Sequence, residues 1–122
     1  MNDYTSSITI DIKPKGFKQE YRLVNFIGSL DKAGLTEVRQ QIEEVADAVQ
    51  DEKYLVFNFA NLEFINSESI GFLLMIHTRM VKKERSLVIV DAVDHVKDVL
   101  EVIGMLKIVE YHASLEEFER SI

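Results

Sequence analysis

Leu62-Glu63-Phe64-Ile65-Asn66-Ser67-Glu68-Ser69-Ile70-Gly71-Phe72-Leu73-Leu74 is the stretch that decides the fold of this chain. Just upstream, Tyr54 to Ala60 is an apolar run of strand length, expected to be buried on both faces. A short polar break follows, and the spacing beyond it predicts a helix that runs to about Lys83. Asn66 or Ser67 caps that helix, because the side-chain oxygen of either accepts a hydrogen bond from one of the first unpaired N–H groups. The corner thus sets two small hydroxyls, Ser67 and Ser69, around a helix N-terminus. Free N–H groups and the positive end of the helix dipole favour negative charge there, a phosphate on serine included.

Working outward, Ser7 to Lys13 alternates Ile8, Ile10 and Ile12 with Thr9, Asp11 and Lys13, the pattern of a half-buried edge strand, and Pro14-Lys15-Gly16 is expected to turn it. Tyr21 to Ile27 is a second strand, and so short a connection favours antiparallel pairing at the sheet edge. From Lys32 to Gln50, Leu35, Val38, Ile42, Val45, Ala46 and Val49 recur at helical spacing. Further apolar strands are expected at Ser86 to Asp91 and Leu106 to Glu110, with a helix between them that ends at Gly104 and a last short helix opened by Ser114 and Glu117 in capping-box spacing. Apolar central strands separated by helices predict an α/β fold: a four- or five-stranded mixed sheet, parallel at its centre, with helices mainly on one side.

Composition narrows the function. A chain of 122 residues with 47% hydrophobic content is expected to form one domain, residues 1–122, around its own core. A net charge of −7 opposes binding to a nucleic-acid backbone or an anionic membrane. Cysteine is absent, so neither a disulfide framework nor a thiolate metal site is available. No apolar run is long enough to cross a bilayer and Met1 to Lys13 has no signal-peptide pattern, which together predict a soluble, cytoplasmic protein.

The corner also carries a family resemblance. Phe64-Ile65-Asn66-Ser67-Glu68-Ser69-Ile70-Gly71 is similar to the Phe-hydrophobic-Asp-Ser-(Ser/Thr)-Gly-Leu-Gly signature of STAS domains, the bacterial anti-sigma factor antagonists. Gly28-Ser29-Leu30-Asp31 resembles that family's Gly-x-Leu-Asp, and Val93 to Ile108 resembles its Val-x-(Arg/Lys)-x-Leu-x-x-x-Gly-Leu stretch. The likeness spans roughly Ile8 to Phe118 and implies the STAS fold. It further implies an unphosphorylated domain that binds an anti-sigma factor which is also a serine kinase, so freeing a sigma factor, with phosphorylation ending the binding. On that resemblance Asp31 lies beside the phosphorylation site. The departures that bear on the switch are Glu68, where the family has its phosphate acceptor, and Ser69, where it has glycine.

Ser67 and Ser69 are therefore the phosphorylation candidates, each equally readable as a simple helix cap, with Ser67 preferred. Glu68 is read as a permanent stand-in for phosphate or as a residue favoured by the helix dipole. In the helix, Ile70, Leu73, Leu74, His77 and Val81 share the face expected on the sheet. Phe72, Met75 and Ile76 fall opposite, where they either pack against the Lys32–Gln50 helix or form an apolar docking ridge beside Ser67. Asp31, Asn66, Phe72, Met75 and Ile76 are the partner-binding candidates.

Enzymatic readings find little. His77, His95 and His112 are far apart, and no Gly-rich phosphate loop or Gly-x-Ser-x-Gly elbow is present. The expectation is a protein that performs no chemistry and needs no metal or cofactor, ATP belonging to the kinase partner. Two alternatives stand beside the antagonist reading: a non-phosphorylated STAS interaction or scaffold module, and a small nucleotide- or ligand-binding regulatory domain using the crevice at the strand C-terminal ends.

Overall fold

Five strands form the sheet, and their order along the chain is their order in space: β1 (Ile8–Lys15), β2 (Tyr21–Leu30), β3 (Tyr54–Ile65), β4 (Ser86–Val90) and β5 (Glu110–His112). The structure, a computed structural model, describes residues 8–15 and 20–122. β1 pairs antiparallel with β2, and every later pairing is parallel. The helices α1 (Lys32–Ala48), α2 (Ser67–Lys82), α3 (Asp94–Ile103) and α4 (Leu115–Ser121) complete the α/β architecture that the sequence predicts.

Alternation along the strands sorts side chains to two unequal faces. Val24 and Phe26 of β2, Leu55, Phe57 and Phe59 of β3, and Leu87 and Ile89 of β4 face α1, α2 and α3, where Ile42, Ile76 and Leu100 close the larger core. Phe26 is at its centre, edge-on to Phe57 and Phe59 with ring centroids 5.0 and 5.2 Å away. The opposite face carries Tyr21, Leu23, Val56, Val88 and Val90 under α4. Phe118 holds α4 there, edge-on to Tyr21 at 5.3 Å and to Tyr54 at 5.2 Å. The buried Tyr21 hydroxyl donates to the Glu119 carboxylate beside it.

Several expectations need correction. β1 continues through Pro14 and Lys15, which pair with Arg22 and Tyr21, so the predicted turn there is strand; Ser7 and Gly16 lie outside the described residues. Nor does β3 stop at Ala60: it runs unbroken to Ile65 because β2 offers ladder partners as far as Leu30. The strand expected at Leu106 to Glu110 starts later, at Glu110. Gly104 closes α3 in the left-handed conformation at φ 86°, as predicted, but a 3₁₀ turn, Met105–Lys107, follows it. Met105 and Val109 reach the core from this irregular segment, and pairing begins only at Glu110, opposite Val88.

The predicted face of α2 is rotated. Ile70 and Leu73 are buried as expected, yet so are Phe72, Ile76 and Met80, while Val81 is exposed and Leu74, Met75 and His77 are half-buried. α2 packs against α1 as well as the sheet, so its buried arc is wide. Arg39 of α1 lies over the Phe72 ring, 4.9 Å from its centroid. At the far end, Lys83 Nζ donates to the carbonyls of Ala46 and Asp47 at 2.9 and 3.1 Å, which satisfies the last turn of α1. No helix among the described residues is long and apolar enough to cross a membrane.

Candidate functional site: the paired helix N-termini

β2 and β3 end level with each other, Leu30 opposite Ile65, and each passes directly into a helix. Asp31 caps α1, its Oδ1 accepting the Gly34 N–H at 2.7 Å. Asn66 rather than Ser67 caps α2, its Oδ1 accepting the Ser69 N–H at 2.8 Å. Side-chain capping satisfies one orphan donor in each first turn and leaves the remaining early N–H groups open.

One carbonyl ties the two helix starts together. Leu30 C=O accepts the Asn66 N–H at 3.0 Å and the Ser69 hydroxyl at 3.0 Å. A second close approach fixes α1: a Cβ on Gly34 would lie 2.1 Å from the Ser29 carbonyl oxygen, so only glycine lets the helix start so near the end of β2. Asp31, Asn66, Ser67 and Glu68 therefore form one rigid corner, with Ser67 and Glu68 exposed at its tip.

Ser69 has a different place. It is 0% exposed and its hydroxyl is spent on Leu30, so this second phosphorylation candidate is closed to a kinase in this conformation. Phe72 and Ile76 do not form an outward ridge, being 4% and 0% exposed between α1 and the sheet. The apolar surface near the corner comes from elsewhere. β4 pairs only with Tyr54–Asn58 of β3, so the second half of β3 runs past it. Phe64, on that projecting half, is 48% exposed, and Ile27 on β2 is 49% exposed. Periodicity offered no means of finding either residue, because it does not say which part of a strand's face a helix will cover: Ile27 is paired on both sides yet lies outside the cluster that Phe118 closes over Tyr21 and Leu23.

An open cleft of about 570 Å³ lies beside this projection, lined by Ile27, Gly28, Leu62, Glu63, Val93 and His95. His95 Nε2 donates to the Glu63 carbonyl and so pins the start of α3 to β3. The cleft occupies the strand C-terminal ends, but neither lysine nor arginine lines it. Among the described residues no three His, Cys, Asp or Glu side chains are grouped to hold a metal ion.

A five-stranded mixed sheet whose central strands β2 and β3 run into capped helices at a common edge defines an α/β domain of the SpoIIAA-like type. The STAS domain family model matches residues 15–118, and the chain belongs to that family. Among solved structures it is similar to an anti-sigma factor antagonist from Mycobacterium paratuberculosis, with a TM-score of 0.78 at 18% identity over 91% of this chain and 90% of the other. It is also similar to the anti-sigma factor antagonist SpoIIAA in its unphosphorylated form, with a TM-score of 0.71 at 16% identity over 93% of this chain and 96% of the other. SpoIIAA of Bacillus in its phosphorylated form aligns with a TM-score of 0.66 at 15% identity, over 93% of this chain and 100% of the other. At such identities the likeness speaks to the fold. No protein of curated function matches the chain by sequence.

Proposed function

We propose that this chain is an anti-sigma factor antagonist that grips an anti-sigma factor kinase with the corner formed by Asp31, Asn66, Ser67 and Glu68. The observation that carries the reading is the shared Leu30 carbonyl. It holds two capped helix starts side by side and leaves Ser67 as the exposed hydroxyl at the tip. Open N–H groups of the two first turns supply donors to the partner, and half-exposed Phe64, two residues before the cap, supplies apolar contact. The helix pair behind the corner, with Phe72 and Ile76 inside it, acts as support and not as docking surface. Met75, half-buried on the same helix, stays at its margin.

A phosphate on Ser67 adds about −1.5 to −2 charges to a corner that already carries the Asp31 and Glu68 carboxylates, which disfavours a partner that must desolvate it. Phosphorylation is thereby expected to release the complex. The protein contributes no chemistry of its own, and ATP is bound and cleaved by the kinase.

A second reading, a STAS scaffold module without a switch, is favoured by one observation: the family's acceptor position holds Glu68, and the neighbouring Ser69 hydroxyl is buried on Leu30. One experiment separates the two. The chain is mixed with an anti-sigma factor kinase from the same organism, complex formation is followed by calorimetry, and the peptide containing Ser67 and Ser69 is analysed by mass spectrometry after ATP is added. Binding that Phe64→Ser weakens about tenfold, with a single phosphate on Ser67, is the expected result. Binding without phosphate selects the scaffold, and no binding overturns both.

A further inference from the structure

Eight large apolar side chains are exposed among the described residues, and four of them fall between Val99 and Ile108. Val99 is 38% exposed, Val102 87%, Ile103 49% and Ile108 55%. α3 needs only Val96 and Leu100 to reach the core. Val99, Val102 and Ile103 form a second stripe, turned off the core, which with Asp98 lines a shallow open trough. Single exposed apolar residues are ordinary, whereas a group on one helix marks an interaction surface.

The rim of this stripe is acidic. Asp94, Asp98 and Glu101 are exposed on α3, and none of them forms an ion pair within the described residues. Lys97, the only lysine or arginine of the helix, is drawn away over the Tyr111 ring, its Nζ 5.5 Å from the centroid. The stripe is thus bordered by carboxylates along one edge, its other edge being the core-facing side of α3 at Val96 and Leu100, with Lys107 exposed beside Ile108 beyond the helix end.

We propose that the outer face of α3 docks an amphipathic helix of another protein, with apolar side chains at i, i+3, i+4 and i+7 and lysine or arginine along the flank that meets Asp94, Asp98 and Glu101. Charge selects this occupant. A second copy of the chain would bring another Asp94, Asp98 and Glu101 to the same seam, and an anionic bilayer would meet the same repulsion. A basic helix supplies the cations that these carboxylates lack and covers the aliphatic stripe by helix-in-groove packing. The face shares no residue with the Asp31–Ser67 corner, so it stands whether or not that corner binds a kinase.

The test titrates the ¹⁵N-labelled full chain with two synthetic peptides of about five helical turns. Both carry one Leu/Ile stripe, flanked by lysine in one peptide and by glutamate in the other. The expected result is amide shifts confined to Asp98–Ile108, with the lysine peptide at least about tenfold tighter than the glutamate peptide. Val102→Asp should weaken binding about tenfold, and its melting temperature should stay unchanged because the side chain is 87% exposed. Asp98→Lys combined with Glu101→Lys should reverse the peptide preference. Failure of both peptides to bind at millimolar concentration overturns the proposal, as does binding indifferent to Val102→Asp. Light scattering that finds a dimer abolished by Val102→Asp assigns the face to a second copy instead. Cosedimentation with phosphatidylserine vesicles that Val102→Asp abolishes assigns it to a membrane.

Discussion

Ser69→Ala isolates the bond that ties the first turn of α2 to the end of β2. The substitution removes one donor from Leu30 C=O, while the Asn66 N–H still occupies that oxygen at 3.0 Å, so no buried acceptor is orphaned. The loss is thus that of one net hydrogen bond, about 1 kcal/mol, less a few tenths for the better helix propensity of alanine. Ser69→Gly, which restores the residue common in the family, loses the same bond. It also adds about 0.5–1 kcal/mol of backbone freedom and should be the weaker protein. Ser67→Ala, at the exposed tip, should fall within about 0.5 kcal/mol of the parent. Urea denaturation followed by far-UV circular dichroism reads the series. With a slope of about 1–3 kcal/mol per M, the midpoint should fall by roughly 0.5 M for Ser69→Ala, further for Ser69→Gly, and scarcely at all for Ser67→Ala. Equal midpoints for Ser69→Ala and Ser67→Ala would refute the claim that the Ser69 hydroxyl staples α2 to the end of β2.

Gly34→Ala should destabilise by about 1–3 kcal/mol or more, against the gain of about 1 kcal/mol that alanine normally brings to a helix, because its Cβ would lie 2.1 Å from the Ser29 carbonyl; a higher urea midpoint would contradict the close approach. Asn66→Ala should cost about 1 kcal/mol through loss of the α2 cap, measured the same way, and Asn66→Asp should restore most of it. Lys83→Met, which strips two donors from the partly exposed end of α1, should lower stability by less than about 1 kcal/mol, with Lys83→Arg milder. Burial, then the Glu119 carboxylate, holds the Tyr21 hydroxyl well above the usual phenol range. The native state therefore keeps a proton that the unfolded chain releases above pH about 10, so this contribution is intact below that pH and declines above it by about 1.4 kcal/mol per unit. Stability curves of the parent and Tyr21→Phe should converge between pH about 10 and 11, and parallel curves would show that Tyr21 does not contribute.

How far the corner was legible in the sequence follows from how local each determinant is. Asn66 before an apolar run announces a helix start, and Gly104 announces a helix end, because cap chemistry involves only residues three or four positions apart. For Phe72 and Ile76 the first of the two readings holds, packing against α1; what periodicity misplaced is Val81, expected on the sheet and exposed, because it says which residues share a side and not how many neighbours the helix has. With both α1 and the sheet to meet, Phe72 and Ile76 are buried together with Ile70 and Leu73. Phe64 escaped notice for a different reason: the strand was expected to end at Ala60, whereas β3 runs on to Ile65, past Asn58 where its pairing with β4 stops, and carries Phe64 on that projecting end. Ser67 and Ser69 put the point most sharply. They are the same residue type, two positions apart, in the first turn of one helix, and no local rule separates them. A carbonyl 39 residues upstream of Ser69 does, drawing that hydroxyl inward and leaving Ser67 outside. At this corner the side chain available to a partner or a kinase is thus selected by tertiary contact, and a motif match alone names the turn without naming the acceptor.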